Sequence, residues 1–216
     1  MKVGVIMGGL SSERDVSLMT GQEMVTHLDH SKYEVVSIDI RNRENWISEV
    51  RGLDVALLAL HGQYGEDGTV QGTLEALGIP YTGSGVLSSS ICMNKDMSKR
   101  LLRSEGIPTP RWQILSNMNE VCLPDIMTLG LPLVVKPNCG GSSIGVAIVR
   151  KEEEIMPAIR SAFELEEEVI IESYIAGQEI SCSILNGRLL PVIAINPAAD
   201  FFDYTSKYVS GRVMIK

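Results

Sequence analysis

The sequence has no close pair among its four cysteines, Cys92, Cys122, Cys139 and Cys182, so it offers neither a disulfide framework nor a zinc site. Reduced thiols are the expected state, with Cys92, Cys122 and Cys182 as packing residues and Cys139 as a small loop filler. It also has no basic run. Lysine and arginine total 19 against 27 aspartates and glutamates, a net charge of −8. A chain this acidic points away from nucleic acid and from anionic membrane as partners. No apolar stretch approaches the ~18 residues of a membrane span. No charged segment followed by an apolar one opens the chain, so no signal peptide is expected. Internal repeats, low-complexity tracts, the G-x-G-x-x-G spacing and the Walker spacing are missing too. What remains is an ordinary globular composition, 44% hydrophobic and 21% charged over 216 residues. That length allows one or two domains with a sizeable core.

The most informative stretch is Lys136-Pro-Asn-Cys-Gly-Gly-Ser-Ser-Ile-Gly145. The apolar run 131–135 leads into it and the apolar run 145–149 leaves it, which reads as strand, loop, strand. Gly140 and Gly141 let backbone N–H groups converge on an anion, Ser142 and Ser143 add hydroxyl donors, and Lys136 adds a point charge. That chemistry suits a triphosphate. A plain hairpin turn is the alternative.

Four further segments carry polar chemistry. Gly8-Gly9-Leu-Ser-Ser-Glu13-Arg-Asp-Val-Ser17 follows a strand and opens a helix, where N-terminal amides suit an anion. Glu13 there either caps the helix dipole or holds a substrate ammonium group. His61-Gly-Gln-Tyr-Gly-Glu-Asp-Gly-Thr-Val-Gln-Gly72 puts four glycines and two acids after an apolar strand. It reads as a functional loop approached closely by a ligand, or else a tight turn with solvated carboxylates. Glu172 and Glu179 flank a short turn and can accept hydrogen bonds from ribose or adenine, or simply be solvated. Phe201-Phe-Asp-Tyr-Thr-Ser-Lys207-Tyr208 reads as a lid, or as a loop covering the core. His27 and His30 lie three apart on a helix and read as surface residues.

Strands are expected at 2–7, 33–39 and 54–60, the last buried on both faces. A helix is marked by Val16, Met19, Met24, Val25 and Leu28. This is a parallel α/β pattern, with ligand sites beyond the strand ends. From Ile91 the pattern becomes α+β. A charged helix runs from 94 to 105 and an acidic surface helix from 151 to 166. Strands follow at 169–173, 179–185 and 190–196.

Taken in order, these motifs closely resemble the D-alanine–D-alanine ligases of the ATP-grasp superfamily, over residues 1 to about 208. The segment 61–72 matches the family signature nearly letter for letter. Gly8-Gly9-x-Ser-Ser-Glu-Arg-x-Val-Ser17, Tyr81-Thr-Gly-Ser-Gly85, Lys136-Pro, Gly141-Ser-Ser-x-Gly145 and Phe202-Asp-Tyr-x-x-Lys-Tyr208 support it. The resemblance implies an N-terminal parallel three-layer, Rossmann-like domain over 1–90 and a central ATP-grasp subdomain over 91–180. The start of a C-terminal domain with a lid loop then spans 181–216, leaving an incomplete ATP-grasp fold.

It also implies a chemistry. ATP phosphorylates the carboxylate of one D-alanine, the amine of a second attacks the acyl phosphate, and phosphate leaves. By matching position, Glu13 binds the first ammonium group, His61 lies beside that substrate, and Ser142 and Tyr208 join a network with Glu13. Lys95, Lys136, Gly140, Gly141 and Ser143 meet ATP phosphates, and Lys207 the transferred group. Glu172 and Glu179 hold adenine and ribose. Tyrosine at 208 favours a dipeptide over a depsipeptide product. A homodimer in the bacterial cytoplasm, making peptidoglycan precursors, is the implied setting. The family continues for roughly another third, carrying an arginine and the Asp, Glu and Asn ligands of Mg2+ or Mn2+. Those have no counterpart in these 216 residues, so a remnant that binds nucleotide or D-alanine without turnover stands as the alternative.

Overall fold

The computed structural model describes residues 1–197 and 213–215. The chain divides into two units, 1–108 and 109–216. The first is built on a parallel sheet of β1 (Lys2–Gly8), β2 (Glu34–Ile40) and β3 (Val55–Leu58), in the order β2-β1-β3. Because β1 is central, it is the strand buried on both faces, and its near-continuous apolar sequence reflects that. The expectation of two-sided burial for the third strand is corrected: β3 lies beside β1, and only Ala56 in it is fully buried. Its outer edge meets residues 80–82. Ala56 N–H donates to the Pro80 carbonyl at 2.8 Å, and Thr82 N–H donates to the Ala56 carbonyl at 3.0 Å.

Alternation along β1 separates two cores. Val5 and Met7 pack with Ala59 beneath Leu18, Met24 and Val25 of α1 (Arg14–His27). Ile6 joins Ile38, Ile40, Trp46, Val70 and Leu74 on the opposite face. There α2 (Trp46–Glu49) and α3 (Thr69–Ala76) cover the sheet, giving the three layers expected. The apolar periodicity of α1 is imperfect for a physical reason. Its buried face includes Ser17 and Gly21. Ser17 satisfies its hydroxyl by donating to the Ala59 carbonyl at 2.8 Å. Next come α4 (Val86–Met93) and α5 (Lys95–Ser104). Asn94 caps α5 by accepting from Met97 N–H at 2.9 Å.

The second unit carries an antiparallel sheet in the order β4-β7-β5-β6: β4 (Trp112–Leu115), β5 (Leu133–Pro137), β6 (Ala147–Val149) and β7 (Val169–Ser173). One face, with Leu133, Val135, Val169 and Ile171, packs against α6 (Leu123–Met127) and α7 (Ile155–Phe163). The acidic segment 151–166 is therefore more than a surface helix. Its charges cluster before Ile155, while Ile155, Ile159 and Ala162 are fully buried. Three cysteines correct the packing expectation, since Cys92, Cys122 and Cys182 are exposed thiols.

A second small sheet pairs β8 (Glu179–Ser181), β11 (Ile193–Pro197) and β12 (Val213–Ile215) in the order β12-β11-β8. Between them β9 (Ile184–Leu185) and β10 (Arg188–Leu189) form a hairpin about Asn186-Gly187, both with positive φ. That dipeptide is the strongest short hairpin signal a sequence carries. The run 179–185 that reads as one strand is broken at residues 182–183, between β8 and β9.

Candidate functional site

In the first unit, the turn after β1 and the loop after β3 meet. Ser11 sits at the junction. Its hydroxyl donates to the His61 carbonyl at 2.7 Å and accepts from Glu13 N–H at 3.1 Å. Glu13 is only 4% exposed. It occupies the N-cap position of α1, yet its side chain makes no capping hydrogen bond. Its carboxylate lies instead against Gly62, where an added β-carbon would fall 2.6 Å from Oε2. Its place at the helix start still sets its charge against the positive end of the α1 dipole.

His61 is held on both sides. Its Nε2 lies 3.1 Å from Thr20 Oγ1, and that hydroxyl also donates to the Val16 carbonyl at 3.0 Å. A hydroxyl has one proton to give. It goes to the Val16 carbonyl when His61 Nε2 carries a proton and to Nε2 when it does not, and either way the contact holds the ring beside α1. Thr20 carries no sequence signal of its own; it is found by its place one turn beyond Val16 on α1.

The two acids of the glycine loop are not merely solvated. Glu66 Oε2 accepts from Gly62 N–H at 2.6 Å, and Asp67 Oδ2 from Tyr64 N–H at 2.7 Å. They satisfy the backbone of the loop that carries them. The glycines likewise answer close approach within the chain: a β-carbon on Gly65 would fall 2.4 Å from Leu60 Cβ. Residues 69–72 of this motif belong to α3 rather than to the loop. Tyr64 anchors it from below, accepting from Trp46 Nε1 at 3.0 Å. Lys95 is half-buried as the first residue of α5.

Arg14 ties this corner to the sheet. It donates to the Ile40 carbonyl at 2.8 Å and to Asp39 Oδ2 at 2.8 Å. Burial pushes the Asp39 carboxyl up, but hydrogen bonds from Arg41 and Arg14 outweigh it and hold Asp39 below the usual carboxylate range.

In the second unit, the loop between β5 and β6 carries the phosphate-binding candidates Gly140, Gly141, Ser142 and Ser143. Its floor is clamped by the segment before β7. Asn138, fully buried, donates from Nδ2 to Glu168 Oε2 at 2.8 Å, and Cys139 N–H donates to Glu166 Oε2 at 2.7 Å. Ser142 and Ser143 have φ of 50° and 61°, closed by Ile144 N–H donating to the Gly141 carbonyl at 3.0 Å. Two successive non-glycine residues in the left-handed region store strain, of a kind that clusters at ligand sites.

Lys136 projects from the sheet face opposite the core. There its ammonium group bonds to Glu172 Oε1. Glu172 is thus a buried strand residue in an ion pair rather than a solvated turn carboxylate, at 8% exposure. Glu179 is exposed at the start of β8. Lys207, Tyr208 and the lid expected over 201–208 lie outside the described residues. His27 and His30 are exposed and bond to the backbone carbonyls of Glu23 and Val25 respectively. Among the described residues no three His, Cys, Asp or Glu side chains converge to hold a metal ion. The magnesium expected from the resemblance therefore finds no fitting set of ligands among the described residues. No helix among the described residues is long and apolar enough to cross a membrane.

Comparison with known proteins agrees with these motifs. Residues 101–216 match the family model "D-ala D-ala ligase C-terminus", and residues 2–52 and 47–84 match "D-ala D-ala ligase N-terminus". The chain is 56% identical over 208 residues to a D-alanine–D-alanine ligase of Bacillus anthracis, covering 96% of this chain and 68% of that protein. It is 50% identical over 211 residues to D-alanine–D-alanine ligase A of Clostridium perfringens, covering 98% and 70%. The crystal structure of a Bacillus anthracis D-alanine–D-alanine ligase complexed with ATP superposes with a TM-score of 0.87. That match is 50% identical and covers 100% of this chain and 70% of the other.

Proposed function

The chain belongs to the D-alanine–D-alanine ligase family, and on that premise we propose that it uses ATP to join two D-alanines. The observation that carries the reading is Glu13: a buried carboxylate at a helix start that lies against Gly62 and makes no hydrogen bond to the helix amides. A carboxylate so placed suits the ammonium group of an amino acid.

A carboxylate is a poor electrophile, so the first D-alanine needs activation. One of its carboxylate oxygens attacks the γ-phosphorus of ATP and ADP leaves, giving an acyl phosphate. The uncharged amine of the second D-alanine adds to the acyl carbon. Phosphate leaves with its electron pair, and the proton lost from nitrogen passes to solvent. Positioning and charge neutralisation carry such a reaction. Glu13 fixes the ammonium group, and His61 lies beside that substrate. The loop amides of Gly140 and Gly141, the Ser143 hydroxyl, Lys95 and Lys136 receive phosphate oxygens. Glu172 and Glu179 serve adenine and ribose. Ser142, Lys207 and Tyr208 keep the roles that the resemblance gives them.

The same reading includes a homodimer in the cytoplasm, a product destined for peptidoglycan and cell shape, and the divalent metal expected of the family, whose ligands have no counterpart in these 216 residues. The three-part division at residues 90 and 180 belongs to it as well. A second reading is binding of nucleotide or D-alanine without turnover. ADP release in ATP and magnesium separates them. Release that depends on D-alanine supports the ligase. ATP binding with no release supports the binding protein. Neither binding nor release contradicts both.

A further inference from the structure

We propose that Glu172 acts on the nucleotide's phosphates through Lys136, as a positioning residue, beyond any contact it makes with the base. This rests on the nucleotide site proposed above.

The strand register creates the pair. In β5 and β7, Val134 lies opposite Glu172 and Lys136 opposite Ile170. Lys136 and Glu172 are therefore diagonal neighbours on one face, within reach of a long side chain. The other face is committed to the core through Leu133, Val135 and Ile171. Trp112 and Ile114 of β4 stand opposite Glu172 and Ile170, and Ile148 of β6 opposite Val134. The ammonium–carboxylate pair thus lies across an apolar floor, its side chains 19% and 11% exposed.

On such a floor a lysine without a carboxylate partner would be driven toward water, since a half-desolvated charge needs compensation. Its four-carbon stem also has many rotamers to choose among. Glu172 removes that freedom by fixing Nζ at one point on the sheet. An ammonium group has three N–H donors and Glu172 Oε1 takes one, so the bond orients Lys136 without exhausting its capacity for phosphate oxygens. The pair sits at the root of the strained loop 140–143, because Lys136 is the penultimate residue of β5.

The test is calorimetric titration of the full chain with ATP and, by competition, with adenosine. The ratio of the two affinities isolates the phosphates from the base. Lys136→Met is expected to shrink that ratio about tenfold, the loss of one charge-assisted contact. Glu172→Gln is expected to shrink it nearly as much, although its side chain is not itself a phosphate ligand. In the Lys136→Met background, Glu172→Gln should shrink it no further. Glu172→Asp, which keeps the charge on a shorter stem, should fall between. A ratio unchanged by Glu172→Gln overturns the proposal, because a base contact or a merely structural role moves both ligands together. Losses that multiply in the double variant overturn it as well. Failure of the unsubstituted chain to bind ATP would overturn the nucleotide site itself, a distinct result.

Discussion

The carboxylate of Glu13 and the α-carbon of Gly62 are so close that a β-carbon on Gly62 would fall 2.6 Å from Glu13 Oε2 and 2.9 Å from Ser11 Oγ. Gly62 also has φ of +72°, where side chains are disfavoured. One glycine therefore serves two ends: it lets the loop turn, and it lets a carboxylate from another element sit against it.

Gly62→Ala should cost about 2 kcal/mol or more, from backbone strain and the displaced Glu13. D-alanine affinity should fall with it, while ATP affinity holds. Thermal melting and titration with each ligand check this. Wild-type D-alanine affinity in Gly62→Ala would dismiss the Glu13 assignment.

Asp39 should make the fold acid-sensitive. Its folded pKa is depressed, so its contribution is full above the unfolded carboxylate value of about 3.9 and drains away as pH falls through the folded value. Asp39→Asn should be less stable at pH 7 by about 1–3 kcal/mol, the worth of hydrogen bonds to charged groups. Urea unfolding should show the two proteins converging toward pH 2. A gap that persists there would trace the loss to packing instead.

Ser142 and Ser143 should be better tolerated as glycine than as valine. Glycine relieves a left-handed strain of about 1–2 kcal/mol per residue, partly offset by greater freedom of the unfolded chain. Ser143→Gly should therefore melt no lower than wild type yet bind ATP more weakly, having lost a donor. Ser143→Val should lose on both counts.

Lys136→Ala should weaken ATP binding about tenfold or more, through loss of a charge-assisted phosphate contact. Unchanged affinity on titration removes Lys136 from the phosphate site.

Much of the first sheet was legible because period and punctuation agreed. The apolar run of β1 and the glycines after it each report a local cause. What escaped was decided elsewhere in the chain. Whether β1 or β3 would be central depends on strand order, which no single strand encodes. Glu66 and Asp67 read as solvated turn carboxylates in sequence because composition does not show their partners; the backbone N–H groups at 2.6 and 2.7 Å do. Glu172 closes an apolar run and so reads as the start of a turn, yet Lys136 across the sheet keeps it buried. The Asn186-Gly187 hairpin was readable, since its signal lies between the runs 179–185 and 190–196, whereas the break at 182–183 inside the first run was not.

The most direct test of the central claim labels the D-alanine carboxylate with oxygen-18 and examines the phosphate released with ATP and magnesium. Attack of that carboxylate on the γ-phosphorus, followed by amine displacement at carbon, leaves one labelled oxygen in each phosphate. One oxygen-18 per phosphate, matched by an equal amount of D-alanyl-D-alanine, is the result expected. Phosphate without label, or none released above the level without D-alanine, would contradict the account.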